Sequence, residues 1–504
     1  MFNDLLKKQY DRDYEISVTE NGAVGYKTTS NPFLDFNFKL PYYRRASYTE
    51  ITNDFKKLID YDVKLALRYL FFLRDVRGGL GERRIFRLIS LWLTTNSEYF
   101  RKALSLFSEY GRWDDLIALF NEGSKKTDVQ IINIIKKQLD NDTIAAKENK
   151  PISLLAKWMP SVQGSNRKKA LSLTKALDFS EKQYRKRLSF LRKHLKVVEV
   201  TMSDRKWEEI NYEAVPSKAN VKYNAAFLRH DESRRKNFLE AVSRGEAKIN
   251  SAVNYPHDIV GKYLNLCGWA TDLKDYDEGL EALWKALPGF DGGENVLTVA
   301  DTSGSMCCFA GNPLKVCYGL TIYFAERAKG QFHNKAILFS SKPSYIDFDQ
   351  AGKSLHSKLS LLRKYNDCSN TNIEATFDLV LNTAINNNLK QEDLPKTILV
   401  ISDMEFDEAI DDFSYNFKKE KLFDIIRKKY ENNGYQMPKL VFWNVASRTN
   451  TIPVVENPNG YALVSGFSTN IVKMVLSNRL DAFEILKEQI MDSRYDIVEK
   501  TIFN

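Results

Sequence analysis

Five side chains are the residues of this sequence best suited to chemistry: two aspartates, two serines and a threonine. Asp301, Ser303 and Ser305 alternate within Asp301-Thr302-Ser303-Gly304-Ser305, so an extended loop can turn all three toward one point. One carboxylate with two hydroxyls is a hard-oxygen set, suited to Mg²⁺ or Mn²⁺. It carries too little charge and too few ligands to form a closed cage, so other loops, water or a partner's carboxylate must complete it. Two completing loops follow. Thr371 stands in the polar run Ser369 to Ala375 at the start of an apolar helical pattern (Ile373, Phe377, Leu379, Val380), and Asp403 follows the apolar run Thr397 to Ile401.

The elements that must position these residues are buried strands. Val296 to Ala300 is apolar and largely β-branched with no helical period, and it empties into the Asp-x-Ser-x-Ser loop. Expected after it are a helix over Pro313 to Ala328, strands at Ala336 to Phe339 and Ser344 to Phe348, and helices over Ser354 to Arg363 and Ile373 to Ile385. A strand at Ile398 to Ile401, a helix over Lys418 to Tyr430, and strands at Lys439 to Val445 and Gly460 to Val464 complete the pattern. Alternation of this kind predicts an α/β, doubly wound parallel sheet, in which ligands gather at the carboxyl ends of strands where the winding reverses. The three loops would meet there.

The order Asp-x-Ser-x-Ser, then Thr, then Asp resembles the metal-ion-dependent adhesion site of von Willebrand factor A domains. That resemblance covers residues 289–504 and implies a Rossmann-like domain with Asp301, Ser303, Ser305, Thr371 and Asp403 as metal ligands. It also implies a divalent cation, Mg²⁺ foremost and Mn²⁺ as the alternative.

No catalytic constellation accompanies the site, and no enzyme activity is expected. The five histidines (His194, His230, His257, His333, His356) are scattered, with no His-Glu-x-x-His helix and no Gly-x-Ser-x-Gly elbow. Ser305 lacks an identifiable base and is better used as a ligand.

A chain of 504 residues calls for two or three domains, and 43% hydrophobic residues supply ample core. No stretch approaches the ~20 uncharged apolar residues of a membrane helix, and no secretory signal is visible at Met1 to Lys8. Five cysteines, odd in number and without metal-binding spacing, suit a reducing, cytoplasmic setting. Charge is uneven. Residues 1–290 hold 50 Lys and Arg against 38 Asp and Glu, while residues 291–504 hold 24 against 27, so the net +9 belongs to the N-terminal part. Its densest stretch, 161–200, has 11 basic against 3 acidic side chains, among them Arg167, Lys168, Lys169, Lys182, Arg185, Lys186, Arg187, Arg192 and Lys193.

Residues 1–45 read as irregular or β-rich, because Asn31-Pro32 and Leu40-Pro41 break a helical pattern. From residue 46 to 288 the apolar spacing is helical almost throughout, in antiparallel segments joined by short Gly or Asn turns, which suggests stacked helical hairpins of the HEAT kind. Arg77-Gly78-Gly79-Leu80-Gly81-Glu82-Arg83 lacks a following Gly-Lys-Ser/Thr, so a tight inter-helical turn fits better than a phosphate cradle. Tyr110-Gly111-Arg112-Trp113-Asp114-Asp115-Leu116 opens another helix with acids in its first turn. Ser153 to Ser161 and Val215-Pro216-Ser217-Lys218 complete a set that resembles the TROVE-module proteins related to the Ro ribonucleoproteins, nearest the branch found in viruses, fungi and plants. The resemblance implies a ring of HEAT-like helices closed by the A domain, binding small structured RNA outside and single-stranded ends through the hole.

Two functions follow. In one, the basic helices (with Lys218) bind small structured or misfolded RNA, interleaved aromatics such as Trp158, Tyr184, Phe190, Trp207, Tyr212 and Tyr223 stack unpaired bases, and the A domain closes the ring or binds a partner. In the other, a non-enzymatic assembly module uses its metal site to capture an acidic side chain of a protein partner while its basic helices bind an acidic protein or membrane surface; under either reading a monomer is expected. A run such as Lys182 to Lys196 also fits the solvated face of a single helix.

Overall fold

A computed structural model describes residues 16–97, 99–267, 270–290, 295–308, 313–339, 342–365, 370–408, 421–455, 457, 459–468, 470, 472–476 and 479–503. Its strands in chain order are β1 (Ile16–Val18), β2 (Val24–Tyr26), β3 (Leu264–Cys267), β4 (Ala270–Leu273), β5 (Val296–Asp301), β6 (Lys335–Phe339), β7 (Ser344–Asp347), β8 (Thr397–Ser402), β9 (Lys439–Asn444) and β10 (Tyr461–Ser465). The chain divides into two compact units. One comprises residues 1–47, 216–224 and 238–489; the other comprises 48–215, 225–237 and 490–504. The run Asp291 to Glu294, which by composition reads as a linker, lies outside the described residues.

In the sheet unit, β5 to β10 form one mixed sheet in the order β10-β9-β8-β5-β6-β7. All pairings are parallel except β6 with β7, so the expected parallel sheet carries one antiparallel edge. The chain steps from β5 outward to β7, then returns to lay β8 on the other side of β5. That reversal places the carboxyl ends of β5 and β8 side by side, with Ala300 paired to Ile401. Burial dictates the strand sequences: every residue of β5 and β9 is buried, which suits strands covered on both faces. Leu297, Val299, Val400 and Phe442 pack on one face with Phe377 of helix Ile373–Asn386 and Phe423 of helix Leu422–Asn432. On the other face, helix Pro313–Arg327 sets Phe324 edge-on to Trp443.

The N-terminal residues join this unit. β1 and β2 pair antiparallel, and the hairpin is tied on by bridges from Gly22 to Asp407 and from Tyr26 to Ile452. A Cβ on Gly25 would lie 2.6 Å from the Ile452 carbonyl oxygen, so only glycine allows that approach. The prolines expected to exclude helix here do the opposite. Pro32 and Pro41 sit in the first turns of helices Pro32–Phe38 and Leu40–Tyr43, where the missing N–H has no intrahelical partner to lose. Asn31 caps the first of these by accepting from Phe33 and Leu34.

The helical unit begins with helices Tyr48–Tyr61, Val63–Arg74 and Arg84–Asn96. Within Glu98 to Glu109, whose apolar spacing reads as one helix, the described residues form a 3₁₀ segment, Tyr99–Leu106, followed by helix Phe107–Tyr110. Helices Trp113–Leu119, Lys125–Lys147, Leu155–Trp158, Arg167–Ala176 and Glu181–His194 continue it. The glycine-rich stretch is a tight turn: Leu80 N–H donates to Phe72 O at 3.1 Å, and a Cβ on Gly79 would meet that oxygen at 1.9 Å. Helix Asp496–Phe503 returns to the start of the same unit, where Asp496 and Glu499 receive Arg68 at 2.9 and 3.4 Å. The helical pattern expected over residues 46–288 is broken by the β3-β4 hairpin. No helix among the described residues is long and apolar enough to cross a membrane.

Candidate functional site

Four of the five expected cation ligands form one hydrogen-bonded chain at the carboxyl ends of β5 and β8. Asp301 ends β5 fully buried. Its Oδ1 accepts the Ser303 backbone N–H at 2.8 Å, and its Oδ2 accepts the Ser402 hydroxyl at 2.5 Å. The Ser303 and Ser305 hydroxyls lie 3.0 Å apart, and Ser305 hydrogen-bonds onward to the carboxylate of Asp403. Thr371, also buried, lies on the neighbouring loop. Its carbonyl accepts the Asp407 N–H at 3.1 Å, and its hydroxyl accepts the Asn21 carboxamide at 3.2 Å.

Electrostatics make this a site that wants positive charge. Burial raises the pKa of Asp301, with the serine hydrogen bonds pulling it back, while Asp403 is raised first by burial and then by the charge of Asp301. Two buried carboxylates this close resist ionising together, and a divalent cation would relieve both. The donors on hand, two carboxylates and three hydroxyls, fit Mg²⁺ or Mn²⁺. Among the described residues no group of three or more His, Cys, Asp or Glu side chains forms a cage, so hydroxyls carry much of the donor set.

Glu405, Glu20, Asn21 and Arg448 also shape the site; Glu405 stands in the acid-rich run Ser402 to Asp407 beside the expected ligand Asp403, while the other three carry no local signal in the sequence. Glu405 is buried and acts as a staple: it accepts the backbone N–H groups of Glu20, Arg448 and Thr449 and the Thr449 hydroxyl, at 2.8 to 2.9 Å. Asn21 also donates to the Glu405 carbonyl at 2.7 Å. Arg448 reaches Glu20 at 2.5 Å and Asp403 at 3.7 Å. It stands in the loop after β9, the next strand end along from β8, where the switch-point rule directs attention. Cys307 and Cys317 are buried nearby; the Cys317 thiol is pushed up by burial and contacts the Asp301 carbonyl oxygen at 3.3 Å.

The expected basic surface separates into two classes. Arg167, Lys168, Lys182, Arg185, Lys186 and Lys193 are exposed, and among the described residues none of them takes an acidic partner. Lys182, Arg185, Lys186 and Lys193 share one side of helix Glu181–His194, whose Tyr184, Leu188 and Leu191 are buried opposite. The others are structural. Lys169 bonds the Phe120 carbonyl and lies 3.5 Å from Glu122. Arg187 holds Asp140 at 2.5 Å and Thr143 at 3.0 Å. Arg192 donates to the carbonyls of Ala156 and Met159 and to the Ser161 hydroxyl. Lys218 pairs with Asp258 and lies over the Tyr255 ring, in the sheet unit. Tyr184 and Tyr212 are core residues, bonded to Pro160 O and to the Asp231 carboxylate. Phe190 is exposed, Trp158 lies half-buried beneath Arg112 at 5.1 Å, and Trp207 stacks on His230 at 4.6 Å.

Residues 295–501 match a domain of unknown function, DUF7788, and residues 165–287 match another, DUF2828. The chain is 32% identical over 503 residues to the "Uncharacterized protein L728" of Acanthamoeba polyphaga mimivirus, across 92% of this chain and 85% of that one. Among solved structures, the Ro (RSR) protein of Deinococcus radiodurans aligns with a TM-score of 0.44 and 14% identity, over 86% of this chain and 92% of that one.

Proposed function

Since the chain belongs to the family of the mimivirus protein L728, we propose its function from its own surfaces: an RNA-binding protein that holds phosphates on helices Arg167–Ala176 and Glu181–His194 of its helical unit. The observation that carries this reading is the set of six exposed cations on those two helices, none spent on an acidic neighbour among the described residues. Such cations release counterions from a polyanion and give affinity without reading sequence. Exposed Phe190 lies on the same helix as four of them and offers a ring on which an unpaired base can stack. The test is filter binding of a single-stranded and a hairpin RNA across a salt series. If all six cations engage, the log–log salt slope for single strands is about −4. A slope near zero would overturn the reading.

A second reading concerns the strand-end loops, favoured by the burial of Asp301 and Asp403 in one hydrogen-bonded chain of oxygens. Asp301, Ser303, Ser305, Thr371 and Asp403 would hold a divalent cation, Mg²⁺ first. A bound ion would supply positive charge to the two carboxylates and a coordination position for an acidic side chain of a protein partner. Calorimetric titration with MgCl₂ tests it: heat that Asp301→Ala abolishes supports the reading, and heat unchanged in Asp301→Ala would count against it.

A further inference from the structure

The oxygens at the mouth of β5 and β8 already face a cation that belongs to the chain. Arg448 approaches Asp403 at 3.7 Å while its other terminal nitrogen is held by Glu20 at 2.5 Å. Asp403 is buried, whereas Arg448 is about a quarter exposed, so the guanidinium sits at the mouth and the carboxylate at the floor. Glu20 is aimed in turn by its own backbone: its N–H donates to Glu405 Oε2 at 2.9 Å, and the Arg448 N–H donates to the other oxygen of the same carboxylate at 2.8 Å. Asn21, the next residue of the hairpin, donates to the Thr371 hydroxyl. Asn21 of the hairpin therefore presents an N–H donor, and Arg448, held by Glu20 of the hairpin, presents a positive charge, to oxygens a metal ion would use.

We propose that Arg448 is a resident countercharge which a divalent cation must displace from Asp403, and that Glu20 is the positioning residue that holds it there. This rests on the cation-site reading. Two cations cannot share a buried carboxylate at little cost: at close range and in a partly desolvated setting, like charges repel by several times the thermal energy. Cation affinity is therefore set by the hairpin, which lowers it while latched.

Calorimetry with MgCl₂ on the full-length protein tests the proposal. Arg448→Gln keeps the backbone N–H to Glu405 and removes the charge; it is expected to bind Mg²⁺ about tenfold more tightly than the parent, or more. Arg448→Lys keeps the charge but not the two-pronged hold on Glu20 and Asp403, so its affinity is expected to lie between those of the parent and Arg448→Gln. Equal or weaker binding by Arg448→Gln, with heat abolished by Asp301→Ala, overturns the countercharge and leaves the cation site standing. No heat in either parent or Arg448→Gln removes both readings. A silent parent with a titrating Arg448→Gln supports the proposal, because the resident charge then suffices to exclude the ion. If Arg448→Gln does not fold, Glu20→Gln replaces it: releasing the anchor is expected to raise affinity several-fold, and unchanged affinity overturns the proposal.

Discussion

Arg74 and Asp115 form an ion pair at 2.7 Å with both side chains almost wholly buried, and Arg87 closes on the other oxygen of Asp115 at 2.6 Å. Asp115 also accepts the Arg112 backbone N–H at 2.9 Å, so one carboxylate joins three segments of the helical unit. Removing one partner of such a pair leaves an uncompensated buried charge, whatever the intact pair itself contributes. Asp115→Ala is therefore expected to destabilise the protein by about 3 to 5 kcal/mol. Urea denaturation followed by circular dichroism measures this, and a loss below about 1 kcal/mol would contradict the role assigned to the pair.

The cation site makes a separable prediction. Asp301→Ala removes the carboxylate that Ser303 and Ser402 both address, so Mg²⁺ binding is expected to disappear in calorimetry. Ser303→Ala, which removes one hydroxyl, should weaken binding by a smaller factor. Unchanged Mg²⁺ affinity in Asp301→Ala would move the ion away from these loops.

The two classes of basic side chain behave differently on substitution. Changing Lys168, Lys182, Arg185 and Lys186 to Glu is expected to weaken every RNA by a similar factor and to flatten the salt slope by about 0.7 per lost contact. Arg192→Ala is expected to lower the melting temperature, because three acceptors lose their donor. If the fourfold variant binds RNA as tightly as the parent at ~150 mM salt, the stripe on Glu181–His194 is a solvated helix face.

Acid should loosen the sheet unit through His257. Its ring packs against Tyr255 at 5.5 Å and edge-on to Phe467 at 4.8 Å. Burial first, then the charges of Lys218 and Arg44, lower its pKa to about 4 against the opposing pull of Asp258. The unfolded chain takes up its proton near pH 6.5 while the fold keeps the ring neutral. Stability from this group is therefore present above pH 6.5 and is lost as the pH falls toward 4. Melting temperatures at about pH 7.5 and about pH 5 should differ less in His257→Gln than in the parent; an equal difference would assign the acid sensitivity elsewhere.

The strand-end loops were legible because their signal is local. An apolar β-branched run cannot be a surface helix, and the oxygens that end Val296 to Asp301 and follow Thr397 to Ile401 stand at predictable points of a switch in winding. Arg448, Glu20 and Asn21 were not legible, since each acts through a neighbour that the fold brings from more than forty residues away. Charge density showed where the basic helices are, but not that Lys169, Arg187 and Arg192 turn back to carbonyls, hydroxyls and acids of their own unit. That depends on where a long side chain finds an acceptor. The prolines misled because a residue that ends a helix from inside also starts one from its first turn.

The helix Asp496–Phe503 has a consequence for synthesis. Arg68 and Lys64 find their carboxylates at Asp496 and Glu499, and Asp75 finds Arg494 and Tyr495. The pieces of the helical unit are thus separated along the chain by nearly all of the sheet unit. On a ribosome residues 48–215 are made before residues 238–489 of the sheet unit, yet Asp75 cannot meet Arg494 and Tyr495 until that later segment has also been made, so the sheet unit can mature before the helical one is sealed.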